Sequence, residues 1–335
     1  MVHQASLLVM LVQLVDRVPL PPPPAKPGRG RPKTYPDRLF LKALVIMILK
    51  HLHTPYALLT VLAQPTPEMQ QLRLLLHEDG RFPTRRTWER RLKTIPATLP
   101  AQIGCLGRHL VDTIQPWTHC GRAAALDSTI LRARGGVWHK KHREVGEVPH
   151  TSIDTEAHWT KSGWHGWVYG WKLPLAGAVA WAVEQGGGML WIPLAAALTA
   201  ANIADNEQAP DLLGELPEEV RFVFGDRHYN TAELREECAQ SNRVLVCSQY
   251  GRYPHSDEGK EVRRVLHKLR SLALENLNEH LKSIFDGHGQ VPTKGLAASK
   301  RFALGAVFVY QLALLYRHEQ GLPLNEGLKP FLKAA

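Results

Sequence analysis

The sequence predicts an α/β protein, a mixed sheet flanked by helices, preceded by a mainly helical and basic N-terminal region. Three observations carry this. From about residue 120 onward, short apolar runs rich in β-branched and aromatic residues alternate with helical stretches. Positive charge is unevenly placed: residues 1–120 hold 16 Lys and Arg against 7 Asp and Glu, while residues 121–335 hold 25 against 24. The run VRFVFGDRHY, Val220 to Tyr229, reads as a short buried strand that Gly225 ends and Asp226 follows. A carboxylate just past the carboxyl end of such a strand sits where open α/β sheets bind ligands. Capping the next helix is the alternative role for Asp226, although Asn230 or Thr231 is better placed to cap a helix through TAELREECAQ.

At 335 residues, the chain has room for two domains, or for one large domain with an appendage. Cys105, Cys120, Cys238 and Cys247 stand far apart and form no CxxC pair, which argues against a zinc ribbon or disulfide framework and fits a reducing cytoplasm. The apolar start ASLLVMLVQLV lacks a basic segment before it and is closed by Asp16 and Arg17. It predicts a packed helix, not a signal peptide or membrane span.

Pro19 to Lys33 is a stiff polyproline segment running into Arg29-Gly30-Arg31-Pro32. That tetrapeptide looks like the core of an AT-hook, which lays arginines in a narrow minor groove, and a plain basic linker is the other reading. Leu39 to Leu49 is apolar on almost every side, as a buried helix would be, and Pro55 to Ala63 continues the helical texture. In Phe82 to Ile95, Pro83 and Thr84 start a helix whose packed face is Trp88, Leu92 and Ile95. Arg85, Arg86, Arg90, Arg91 and Lys93 surround that stripe. The helix suits either DNA contact in a helix-turn-helix-like unit or a solvated surface, and the regional charge favours DNA. These features assign 1–118 to a basic, helical DNA-binding region with the linker at 19–33, followed by a catalytic or structural body, expected as a domain over 119–320, and a tail over 321–335.

Arg122 to Ile130 predicts a strand carrying Asp127 in an apolar setting, where a charge must be paired, bonded locally or bound to metal. Residues 135–166, rich in Gly, His and Trp, predict a loop or flap, and the histidine spacings match no zinc pattern. Strand texture returns over 167–172, 173–183 and 189–198, with Gly186-Gly187-Gly188 as a hairpin turn. A helix through Leu213, the 220–225 strand, the TAELREECAQ helix, a strand over 243–249 and a long helix over 259–285 complete the order. That is the order of the RNase H-like fold, with Asp127 on the first strand, Asp226 ending the fourth and Glu275 on the last helix. On that helix Arg264, Lys268, Glu275 and Lys282 share one stripe, because 7 and 11 residues nearly close whole turns. A metal-bound acid among phosphate-gripping bases would look like this, and so would a row of surface ion pairs.

These pieces resemble the DDE transposases of bacterial insertion sequences. The match runs through ALDST with Asp127, GWVYGWK with Gly170 and Lys172, TAANIADN, GDRHYN with Asp226, and ENLNEHLKSIF with Glu275 and Lys282. The resemblance implies a catalytic and metal-binding trio of Asp127, Asp226 and Glu275 holding two divalent ions, Mg²⁺ or Mn²⁺. It also implies an Arg and a Tyr before the Glu and a Lys after it. Lys282 fits the last position, Arg270 lies one residue further from Glu275 than usual, and His267 stands where Tyr is expected. The expected DNA-contacting set is then Lys282, Arg270, His267, Lys268, Lys172, Arg85, Arg86, Arg90, Arg91, Arg29 and Arg31. The implied partners are double-stranded element ends and target DNA, bound by a homodimer assembled on DNA in the cytoplasm, at the nucleoid, with no membrane. Two rivals remain: an RNase H-like nuclease that cleaves without joining, and a DNA-binding relic with a silent catalytic body.

Overall fold

The structure is a computed structural model and describes residues 6–22, 34–118, 122–163, 165–181, 189–247, 260–261, 264–265, 268, 277–285 and 289–332. Among the described residues six helices come first: α1 (Leu7–Leu14), α2 (Asp37–Leu49), α3 (Pro55–Leu62), α4 (Pro67–Leu74), α5 (Arg85–Thr94) and α6 (Leu99–Thr118). Their starts follow local chemistry. Ser6, Thr54, Thr66 and Thr84 each accept a hydrogen bond from a backbone N–H of the first turn, and Pro55 and Pro67 occupy first-turn positions where no donor is needed. Leu39 to Ile48 are all buried on α2, and Trp88, Leu92 and Ile95 are buried where the spacing put them.

Seven strands follow among the described residues: β1 (Ala123–Arg132), β2 (His158–Ser162), β3 (Gly166–Trp181), β4 (Met189–Ala196), β5 (Thr199–Ala200), β6 (Phe222–Gly225) and β7 (Val244–Cys247). They form one mixed sheet in the order β2-β3-β1-β6-β7, with β4 and β5 also on β3. β3 runs antiparallel to β1 and β4, while β6 is parallel to both β1 and β7. This is the RNase H-like arrangement. Helices α7 (Lys140–Glu144), α8 (Asp205–Gly214), α9 (Ala232–Gln240), α10 (Leu296–Glu319) and α11 (Leu328–Leu332) complete the chain, with a helical segment at 277–282.

Three expectations change. The run over 167–183 is a single strand to Trp181 that passes through Pro174; the proline lacks a donor, but its carbonyl accepts from Ala197 N at 3.0 Å. The stretch over 135–166 is built rather than open, since it contains α7 and β2. Trp138 Nε1 donates to Glu147 O at 2.6 Å, and the Arg143 guanidinium lies 5.4 Å over the Trp138 ring. The strand expected from Val220 starts at Phe222, with Val220 buried and Phe222 46% exposed. The Gly186–Gly188 turn and, within the 259–285 helix, residues 259, 262–263, 266–267 and 269–276 lie outside the described residues.

One hydrophobic cluster extends from Leu8 to Leu328, and α10 is its spine. Gly305 faces α2 so closely that an added methyl would come within 3.2 Å of Leu44 and Ile48. On another side Gln311, fully buried, donates to both Ile103 O and Pro193 O at 2.8 Å, joining α6, β4 and α10. α10 is long and apolar enough to cross a membrane by length and composition, yet it lies buried in this core. Its start is capped from the 133–157 segment: Asp154 accepts from Gly295 N at 2.8 Å and Glu156 from Leu296 N at 3.0 Å.

Candidate active site

Ala124, Ala125 and Leu126 are fully buried ahead of Asp127, and β1 carries that acid into the middle of the sheet. The parallel register of β1 and β6 sets Ala123 beside Phe222 and Ala125 beside Phe224. Continuing two residues along both chains reaches Asp127 and Asp226. Alternation assigns Asp127 to the face of Ala125, and Asp226 follows directly on Gly225, the last residue of β6. Gly225 lets the chain turn at that point, since a Cβ there would lie 2.8 Å from Tyr229 Cβ and 3.0 Å from Cys247 Sγ. Asp226 also caps a short turn, its Oδ1 accepting from His228 N at 2.7 Å, while Thr231 caps α9.

The face that bears Asp127 is covered by residues 277–285, where Leu277 and Leu281 are fully buried. Between them Asn278 donates its Nδ2 to Asp127 Oδ2 at 3.3 Å. Asn278 was not among the expected site residues. The one available signal was an amide between Leu277 and Leu281 on a helical stretch, where Asn is a poor helix former and demands partners if buried. Lys282 pairs with Glu279 at 3.0 Å, and its stem lies against the turn at Gly289. That turn is joined to the end of β1, as Arg132 N donates to Gly289 O at 3.0 Å.

The opposite face holds a second polar group. Lys172 faces Ile130 across the β1–β3 ladder, so strand alternation sets it away from Asp127. Its Nζ pairs with Asp205 Oδ1 at 3.0 Å and donates to Ile203 O at 2.9 Å, and Ser128 Oγ donates to Asp205 at 2.8 Å. Asp205, which the sequence reading left unassigned, thereby ties the start of α8 to the sheet.

The other expected residues divide by position. Arg86 and Arg90 are exposed on α5, one turn apart, with Lys93 continuing the stripe. Arg85 pairs with Glu89 at 2.8 Å and lies over Tyr56, and Arg91 pairs with Asp37 and lies 4.5 Å over the Phe40 ring. Lys268 is exposed. Glu275, Arg270, His267, Arg29 and Arg31 lie outside the described residues.

Among the described residues no three His, Cys, Asp or Glu side chains gather as a metal cluster. Asp127 and Asp226 offer carboxylate oxygens, and the Oδ1 of Asn278 is buried without a hydrogen-bond partner. Oxygen donors without a nearby thiolate suit a hard divalent cation. Cys247, the nearest described thiol to Asp226 through the Gly225 pairing, is held protonated, burial pushing it up to about 12.

The transposase DDE domain family matches residues 118–312. Among solved structures, the chain is similar to the piggyBac transposase synaptic complex with hairpin DNA, at 10% identity and a TM-score of 0.38, over 96% of this chain and 74% of that one. It is also similar to the Mos1 transposase paired-end complex with the left transposon end, at 14% identity and a TM-score of 0.19, over 79% of this chain and 82% of that one. No curated protein matches the chain.

Proposed function

The chain belongs to the transposase DDE domain family, and from that premise we propose that it binds the ends of a mobile DNA element, cuts them and joins them to a target through Asp127, Asp226 and Glu275. The observation that supports the reading is the β1–β6 register: Asp127 and Asp226 each follow by two residues the pair Ala125 and Phe224 of adjacent parallel strands. Glu275 stands three residues before Asn278 in the sequence, the spacing that puts two side chains on one helical face. Mg²⁺ or Mn²⁺, two ions in this reading, supplies the Lewis acidity for in-line phosphoryl displacement when bound.

The protein's own groups divide the remaining work. The carboxylates would hold the divalent ions, whose chemistry would then be available to a bound phosphate. Lys282, on the helical segment that covers the site, grips a phosphate near the reacting strand. Leu277 and Leu281 keep bulk water from the inner side of Asp127. Residues 1–118, with nearly all the net charge, supply the DNA grip, through the exposed Arg86 and Arg90 and through Arg29 and Arg31 in the linker. Assembly as a homodimer on two DNA ends, at the nucleoid, follows from the same reading.

The test is incubation of the full chain with its flanking element ends and Mg²⁺, followed by sequencing of cut and joined products. Joined products are expected. Cutting without joining would make the protein a nuclease, and neither would make it a DNA-binding relic.

A further inference from the structure

Asn278 is 7% exposed and is flanked along its helical segment by Leu277 and Leu281, both fully buried. An amide in such surroundings is costly unless both of its ends find partners. Nδ2 reaches Asp127 Oδ2 at 3.3 Å, a long contact for a hydrogen bond to a carboxylate. Oδ1 is buried and has no partner at all. An unpartnered carbonyl oxygen and a carboxylate are thus held together by a single weak N–H link. What Oδ1 lacks is a donor or a cation.

On the reading that Asp127 holds a divalent cation, we propose that Asn278 is a further ligand of that cation, supplying Oδ1 as a neutral oxygen donor. Amide carbonyls are ordinary ligands of hard divalent ions. A half-turn of the amide about its last torsion exchanges Nδ2 and Oδ1, and that torsion is broad and nearly two-fold. The present hydrogen bond is therefore the arrangement without a cation: Nδ2 aligns the carboxylate and keeps the helical segment seated on β1. With a cation on Asp127, the amide turns and Oδ1 takes the place of Nδ2. The neutral donor adds coordination without adding a third like charge beside Asp127 and Asp226.

The experiment is Mn²⁺ titration of the full chain, followed by the electron paramagnetic resonance signal of the free ion, with thermal unfolding measured with and without Mn²⁺. The variants are Asn278→Leu, Asn278→Asp and, as a control, Asp127→Asn. Asn278→Leu should fold at least as stably as the parent without metal, since it removes a buried orphan acceptor. It should bind Mn²⁺ about 10-fold more weakly. Asn278→Asp should be less stable without metal, because it sets a charge beside Asp127, and should gain more from Mn²⁺ in unfolding temperature than the parent does. If Asn278→Leu does not fold, the larger metal-induced shift in Asn278→Asp decides alone. Parent-like Mn²⁺ affinity in Asn278→Leu, or a parent-like shift in Asn278→Asp, overturns the proposal while weakened binding in Asp127→Asn leaves the acid site standing. Parent-like binding in Asp127→Asn as well overturns the acid site and this ligand together.

Discussion

Asn278 donates its side-chain amide to Asp127 across 3.3 Å, so the helical segment after Glu275 is tied to the central strand through the very acid proposed for chemistry. The link makes the position of that carboxylate depend on two elements far apart in the chain. Helix and strand must both be seated before Asp127 and Asp226 can act as a pair.

Substituting either acid should separate binding from chemistry. Asp127→Asn and Asp226→Asn keep side-chain shape and remove the negative charge. Cleavage in Mg²⁺ should fall by at least about 10²–10³-fold, the scale seen when one group that stabilises developing charge is lost. Affinity for element ends, measured by gel shift, should stay close to that of the parent, because it comes from cations elsewhere. A variant that still cuts at near-parental rate would remove its residue from the site.

The exposed arginines of α5 should reveal themselves through salt. Arg86→Gln and Arg90→Gln each delete one candidate phosphate contact, and each should flatten the slope of log affinity against log salt by about 0.9. Arg91→Gln should act differently, because that guanidinium is already committed to Asp37 and the Phe40 ring. It should cost roughly 1 kcal/mol of stability with little change in salt slope. Slopes identical to the parent for both Arg86 and Arg90 would take α5 off the DNA.

Acid should weaken the fold through His280. Its ring lies 4.9 Å from Trp191 and 6.2 Å from Tyr310, and its Nδ1 has no hydrogen-bond partner. Burial, then the nearby Arg317 charge, hold its pKa below the usual 6.5. The unfolded chain thus takes the proton more readily. The resulting stability is fully present above about pH 6.5 and is lost as pH falls from there toward the folded value. His158, lowered by burial and by Arg143, works in the same direction. Urea midpoints should drop between pH 7.5 and pH 5, and His280→Phe should drop less, since it keeps the ring and removes the titration. An equal drop in both proteins would exclude His280 as a cause.

Two glycines one turn apart on α6 make a paired test of close packing. A Cβ at Gly107 would lie 2.4 Å from Pro193 O and 3.2 Å from Gln311 Nε2, whereas one at Gly104 would meet nothing nearer than 3.5 Å. Gly107→Ala should therefore destabilise the protein by about 1–3 kcal/mol through overpacking. Gly104→Ala should be neutral, or slightly stabilising, as alanine favours the helix. Equal thermal shifts for the two would mean that α6 does not approach β4 as described.

What the sequence made legible was what short-range pattern encodes. The stripe of Trp88, Leu92 and Ile95 and the apolar α2 follow from helical spacing, and Thr84 and Thr231 from capping chemistry. Asp127 and Asp226 stood out because each follows a run of buried residues. Pairing across the chain was not legible. Nothing local to Lys172 says that alternation sets it opposite Asp127, on the face where Asp205 waits for it. Nothing local to Asn278 names Asp127, 151 residues away, as its acceptor. The 135–166 segment read as a loop because its order comes from Arg143, Asp154 and Glu156 reaching other elements rather than from any period of its own.

The seating of α10 against α1 and α2 has a consequence for how the molecule comes into being. Arg301 donates to His53 O, and the two are 248 residues apart. On the ribosome, at about 5–20 residues per second, the first helices wait roughly 12–50 s for the helix that completes their core. During that interval Leu8, Leu11, Leu44 and Ile48 are available to chaperones or to a neighbouring nascent chain. A stop codon or frameshift just ahead of residue 296 would leave those apolar faces uncovered for good. Such a product would be cleared or would aggregate, so the first appearance of folded protein coincides with emergence of the last long helix.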